Sequence, residues 1–212
     1  KEGKVVYNKS FGYHTYDSLN SVGEFDVYDI ASITKIAATL PVIMQKVDEN
    51  SFDIDKPIIK YLSIDDTCSK AKLTSRKMLA HHARLWPWIP FYRETLTEKG
   101  GPNPEIYSTR QEGEFQIQVA HNIYMNETYM DTIVDRVFHS KMREDKGYKY
   151  SDLAYYILKE IIEDQESSSL KDLVQERIYE DLGANFTTYH PLEKFNEASI
   201  VPTEDDAYFR NQ

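Results

Sequence analysis

Ser32-Ile33-Thr34-Lys35 places a hydroxyl and an amine three residues apart, where a strand-like run gives way to a long apolar helix. Residues at that spacing on a helix share one face, about one turn apart. The pair sits at the positive end of the helix dipole. A serine hydroxyl is a poor nucleophile near neutral pH and needs an adjacent base. A lysine buried near a helix N-terminus has its proton affinity lowered by desolvation, and the neutral amine can take the serine proton. One chemistry these residues allow is attack by Ser32 with a neutral Lys35 as base.

The spacing alone is not selective. S-x-x-K occurs three times, at Ser32/Lys35, Ser69/Lys72 and Ser168/Lys171. Ser69 follows the polar run Asp65-Asp66-Thr67-Cys68, and Ser168 lies within Gln165-Glu166-Ser167-Ser168-Ser169. Both read as solvated surface. Ser32 follows Phe25 to Ala31, which suits a short strand, and precedes Ile36, Leu40, Ile43, Met44 and Val47 at helical period. A serine opening such a helix also serves as an N-cap, so spacing leaves both roles open.

Composition narrows the class. The 212 residues suffice for one domain with a sizeable core, or a core plus a subdomain. Apolar residues make up 41%, as in globular chains. A formal net charge of -10 argues against a nucleic-acid partner, whose phosphates need Lys/Arg surfaces. No run of about 18 apolar residues exists, so no membrane span is expected. Cys68 is the only cysteine, which excludes an intramolecular disulfide and a cysteine zinc site. His121, His139 and His190 lack ligand spacing, so neither metal nor other cofactor is expected.

The elements that must position the pair follow from local patterns. Lys4 to Tyr7 and Ser10 to Tyr13 read as the strands of a hairpin turning at Asn8-Lys9. A helix is predicted over Ile33 to Val47, kinked at Pro41, which lacks a backbone donor. Pro57 opens a short helix. Thr74 to His82 has a cap and an apolar stripe, hence another helix. Residues 85–115 read as a long irregular segment, and 116–143 as strand and helix. Leu153 to Glu163 and Leu170 to Tyr179 are amphipathic helices, with a stop at Gly183. Beyond Asn196 no element is expected. His81 and His82 read as structural. Trp86, Trp88, Phe91 and Tyr92 read as a core or subdomain patch that could also line a pocket or stack on sugar.

Tyr150-Ser151-Asp152 lies on a polar turn just before the Leu153 helix. Ser-x-x-Lys at a helix start followed by Tyr-x-Asp on a later turn resembles the serine β-lactamase and penicillin-binding-protein superfamily, in its class C-like branch. Further stretches are similar to that family in order: Ile30 to Thr39, Phe52 to Pro57, Lys60-Tyr61-Leu62, Leu73 to His81, and Asp181-Leu182-Gly183. The family's Ser-Gly-Leu after its histidine is replaced here by Ala83-Arg84-Leu85. Its third motif, Lys-Thr-Gly or His-x-Gly on a strand, is not found in residues 190–212, so a truncated domain is expected.

The resemblance implies an α/β (α+β) fold with a partial antiparallel sheet. A mostly helical part would span about residues 62–149, with 1–61 and 150–212 forming the α/β portion. It implies Ser32, Lys35, Tyr150 and Asp152 as catalytic residues. Lys35 and Tyr150 would both contact the serine, Lys35 either taking its proton as a neutral amine or, when charged, holding Tyr150 as phenolate. Tyr150 would then protonate the leaving group and activate water, and Asp152 would bond near Lys35 or the substrate amide. The Ser32 N–H would be one oxyanion donor, the other lying on the strand after the missing motif, which leaves the isolated chain weak or inactive. The substrate would be a β-lactam, a D-alanyl cell-wall peptide or an ester, in the periplasm or cell envelope. The tail, from Val201-Pro202-Thr203-Glu204 to Tyr208-Phe209-Arg210, resembles relatives fused to glycoside hydrolases, so a fused catalytic partner is a further expectation. The rival reading is a non-catalytic module of a larger protein.

Overall fold

The structure is a computed structural model and describes residues 1–120 and 122–203. His121 and the tail residues Glu204 and Tyr208-Phe209-Arg210 lie outside the described residues.

The fold is organised around helix α4 (Leu153–Glu166). Its apolar residues come in pairs four apart: Leu153/Ala154, Ile157/Leu158 and Ile161/Ile162. That spacing keeps all six on one face, and all six are fully buried. Around this face pack Val42 and Ile43 of α1 (Leu40–Asp48), Met78 of α2 (Ser75–Leu79), Val137 of α3 (Thr128–His139), and Leu173 and Val174 of α5 (Leu170–Val174). Thr74 caps α2 by accepting the Lys77 N–H, as its sequence position predicted. Ser169 likewise caps α5 through the Asp172 N–H. The stop after α5 falls at Gly183, which has φ +64°.

The predicted helix through Pro41 is built in three parts. A 3₁₀ turn, Ala31–Ile33, leads into a π-helical turn, Lys35–Thr39, and then α1. The Leu40 N–H bonds back five residues to the Lys35 carbonyl. Pro41 has no N–H for the Ala37 carbonyl one α-turn earlier. The Tyr179 hydroxyl donates to that carbonyl instead, at 3.1 Å. The expected kink therefore takes the form of a widened turn directly behind Ser32.

Strands are few among the described residues. β1 (Val27–Tyr28) pairs in parallel with β5 (Ile200–Val201), Val27 opposite Ile200. β2 (Tyr107–Ser108), β3 (Phe115–Ala120) and β4 (Ile123–Asn126) form an antiparallel sheet in the order β2-β4-β3. The segment expected as the mostly helical part thus holds α2, this sheet and α3.

Two expectations are corrected. The N-terminal hairpin does not form: residues 4–12 are outside any strand, and the one pairing in this region is an isolated bridge between Tyr13 and Ser21. Val5, Val6, Tyr7 and Phe11 are exposed. A two-stranded hairpin is at best marginal in water unless one face is covered, and nothing in the described structure covers this one. The region beyond Asn196, expected to lack elements, contains a 3₁₀ turn and β5. A two-residue strand leaves no periodicity to read.

Candidate active site

Ser32 lies inside the 3₁₀ turn rather than at its cap, and no side-chain cap bond opens this helical stretch. The preceding residue, Ala31, has φ +44°, a left-handed conformation costly for a residue with a Cβ. The Asp29 carboxylate accepts the Ala31 N–H at 2.6 Å and helps to hold this conformation. Strain is therefore stored next to the serine. The Ser32 side chain faces Lys35, whose Nζ donates to Oγ at 2.9 Å.

Lys35 joins this helix to the start of α4. Its Nζ lies 2.6 Å from Oδ1 of Asp152. The approach is close enough for an ion pair but off the axis of a hydrogen bond, so the buried Oδ1 has no aligned donor among the described residues. The same ammonium lies 5.1 Å from the ring centre of Tyr150 and 5.4 Å from that of Tyr155. The lysine side chain is only 14% exposed, against 43% for Asp152. Burial works most strongly against the ammonium, but Asp152 and Tyr150 together outweigh it and push the Lys35 pKa above its usual value. This corrects the expectation of a lysine depressed by desolvation. Lys35 carries its proton at neutral pH, and the hydrogen bond to Ser32 runs from ammonium to hydroxyl.

The Tyr150 turn is fastened to residues 81–87. The Lys149 N–H donates to the His81 carbonyl at 3.0 Å, and the Asp152 N–H to the Pro87 carbonyl at 2.7 Å. The Ser151 hydroxyl donates to the Trp86 carbonyl at 2.6 Å. The Ser151 N–H donates to Nδ1 of His81 at 3.2 Å. The His81 and Tyr150 ring centres are 4.5 Å apart. Burial lowers the His81 pKa, as does the Lys35 charge, while Asp152 opposes them.

The structure thus brings Lys35 into direct contact with both Ser32 and Asp152, with Tyr150 packed against the lysine. The other S-x-x-K pairs are different. Ser69 and Lys72 are exposed, and Lys171 pairs with Glu193 at 2.7 Å. Sequence reasoning missed Tyr155 and the 81–87 anchor. Tyr155 was within reach, because it lies three residues after Asp152 on the same helix end. The His81 bond to Ser151 joins distant segments and has no local signal.

The Beta-lactamase family model matches residues 1–206. A protein named D-alanyl-D-alanine carboxypeptidase from Escherichia coli (strain K12) is 28% identical over 220 residues, covering 96% of this chain and 45% of the relative. One of the same name from Salmonella typhimurium is 26% identical, with the same two coverages. The chain therefore spans under half the length of these curated relatives. Among solved structures, the octameric penicillin-binding protein homologue from Pyrococcus abyssi superposes with a TM-score of 0.63 at 22% identity, over 95% of this chain and 41% of that one. A class C beta lactamase from Rhodobacter sphaeroides gives 0.52 at 19% identity, over 81% and 39%. These likenesses agree on a β-lactamase-like fold of mixed α and β structure. With the family model covering nearly all of its length, the chain belongs to the Beta-lactamase family.

Proposed function

We propose that the chain carries the nucleophile and proton-transfer groups of a serine hydrolase that forms an acyl-enzyme on Ser32. The observation that carries this reading is the position of the Lys35 ammonium, 2.9 Å from Ser32 Oγ and 2.6 Å from Asp152 Oδ1. It ties the helix bearing Ser32 to the turn bearing Tyr150.

Because Lys35 holds its proton, it serves as an electrostatic group rather than as the base. Its hydrogen bond to Oγ stabilises the negative charge that grows on the serine oxygen during attack. The proton leaving Ser32 passes to Tyr150, which must be in its anionic form at that step, with the ammonium as countercharge. Ser32 Oγ bonds to the carbonyl carbon of the substrate. Tyr150 then gives the proton to the departing nitrogen or oxygen as that bond to carbon breaks. In the second half, water attacks the acyl carbon and passes a proton to Tyr150, and that proton returns to Ser32 Oγ. Asp152 keeps its Oδ1 on the Lys35 ammonium, and the exposed remainder of its carboxylate can accept a donor such as a substrate amide N–H.

The substrate class proposed is an amide or ester: a β-lactam, a D-alanyl peptide of the cell wall, or a simple ester. The relatives' name favours the D-alanyl peptide, and with it a cell-envelope location. The test is stopped-flow hydrolysis of a nitrophenyl ester by the chain and by its Ser32→Ala variant. A slow, single-turnover release of nitrophenol stoichiometric with the chain, as suits a site with one oxyanion donor, and absent in the variant, is the expected result. An equal release in Ser32→Ala overturns the reading.

A further inference from the structure

We infer that His81 is a positioning residue of this site: the lone pair on its Nδ1 holds the Tyr150 turn in register with Ser32 and Lys35. The inference rests on the reading of Ser32 as nucleophile. His81 brackets Tyr150 from both sides, accepting the Lys149 N–H on its carbonyl and the Ser151 N–H on Nδ1. Its ring lies against the Tyr150 ring. Of the four bonds that fasten this turn to residues 81–87, only the one to Nδ1 depends on a group that titrates near neutrality.

An Nδ1 that accepts a backbone N–H must be unprotonated, which puts the proton of the neutral ring on Nε2. Protonation of Nδ1 would set N–H against N–H and release the Ser151 amide. The groups facing the imidazole are Lys35 from the serine helix, Tyr148 and Tyr150 from the turn, and Asp152 and Tyr155 from the start of α4. Lys35 disfavours a second positive charge beside it, and Asp152 favours one. The Ser151 amide is therefore held at neutral pH and released in acid, leaving the turn on its three other bonds.

His81 has φ +57°, so Ala at this position adds backbone strain to the loss of the acceptor. Asn and Gly avoid that confusion. Asn accepts left-handed backbone and offers Oδ1 near the place of Nδ1, without titrating. Gly accepts the backbone and offers no acceptor. The experiment measures covalent labelling of Ser32 by an aryl phosphonofluoridate from about pH 5 to about pH 9, spanning the range of histidine titration. Wild type, His81→Asn and His81→Gly are compared, with ¹⁵N spectra of His81 and hydrogen exchange of the Ser151 amide.

The wild type is expected to lose labelling along an acid limb that coincides with the His81 titration, with Nε2 protonated above it. His81→Asn recovers the rate at alkaline pH and lacks that limb. His81→Gly labels up to about 10²-fold more slowly, as for a small misplacement of a reacting group, and its Ser151 amide exchanges fast. Equal labelling by His81→Gly and wild type, the wild-type limb persisting in His81→Asn, or a proton on Nδ1 in the neutral ring overturns the positioning role alone. Labelling is slow in a chain with one oxyanion donor, so it is followed to completion; a folded wild-type chain that gains no adduct overturns the hydrolase reading, and the positioning role with it.

Discussion

Lys35 Nζ and Asp152 Oδ1 lie 2.6 Å apart, and this contact closes the gap between the helix that begins at Ser32 and the turn that ends at α4. Replacing the lysine therefore removes two things at once. Lys35→Met takes the donor from Ser32 Oγ and the countercharge from Asp152. Acylation of Ser32 is expected to fall by about 10²–10⁴-fold, with the far-UV circular dichroism unchanged. Lys35→Arg does not restore the rate, because a planar guanidinium cannot present one compact donor to both neighbours. Acylation kinetics on the two variants check this.

The stability of the chain depends on pH at both ends of the range. The His81 pKa is lower in the folded chain than its usual 6.5, so its contribution is fully present above pH 6.5 and is lost as the pH falls through the lower folded value. The Lys35 pKa is raised above 10.5, so its contribution is fully present below pH 10.5 and is lost as the pH rises through the folded value. Denaturant melts across pH should show His81→Asn flattening the acid limb and Lys35→Met flattening the alkaline limb.

Lys46 is buried on α1, and its ammonium pairs with Glu166 at the end of α4. Arg177 adds a second bond to the same carboxylate at 2.6 Å. Burial leaves Lys46 no access to water if its partner is removed. Glu166→Gln should therefore cost about 3–5 kcal/mol. The double variant Lys46→Met/Glu166→Gln should recover much of that loss, because it removes the buried charge. Urea denaturation of the single and double variants measures both.

Tyr179 supplies the donor that Pro41 lacks, so the two positions are coupled. Tyr179→Phe leaves the Ala37 carbonyl without the hydroxyl and should cost about 1–3 kcal/mol. In a Pro41→Ala background the residue at 41 has its own N–H for that carbonyl, and the same change should cost less. A double-mutant cycle in denaturant reads the difference.

Much of this fold was legible because its signals are local. The paired apolar positions of α4, the Thr74 cap and the Gly183 stop each sit within a turn or two of the residues they govern. The Ser32–Lys35 contact was legible for the same reason, since three residues on a helical turn face one another. What was not legible depends on distant partners. Val5, Val6 and Tyr7 carry strand-forming side chains, yet pairing requires a neighbour that the pattern cannot supply. The protonation of Lys35 was not legible because the motif shows burial lowering its proton affinity, whereas the 2.6 Å approach of Asp152 that outweighs it depends on the fold. The role of His81 rests on a single nitrogen meeting a backbone amide 70 residues along the chain.

The most direct test of the central claim is peptide mapping by mass spectrometry after the chain is treated with an active-site-directed phosphonofluoridate. One adduct per chain, on the peptide containing Ser32 and abolished in Lys35→Met, is the predicted result. An adduct on Ser69 or Ser168, or labelling of Ser32 at an undiminished rate without Lys35, would contradict the account.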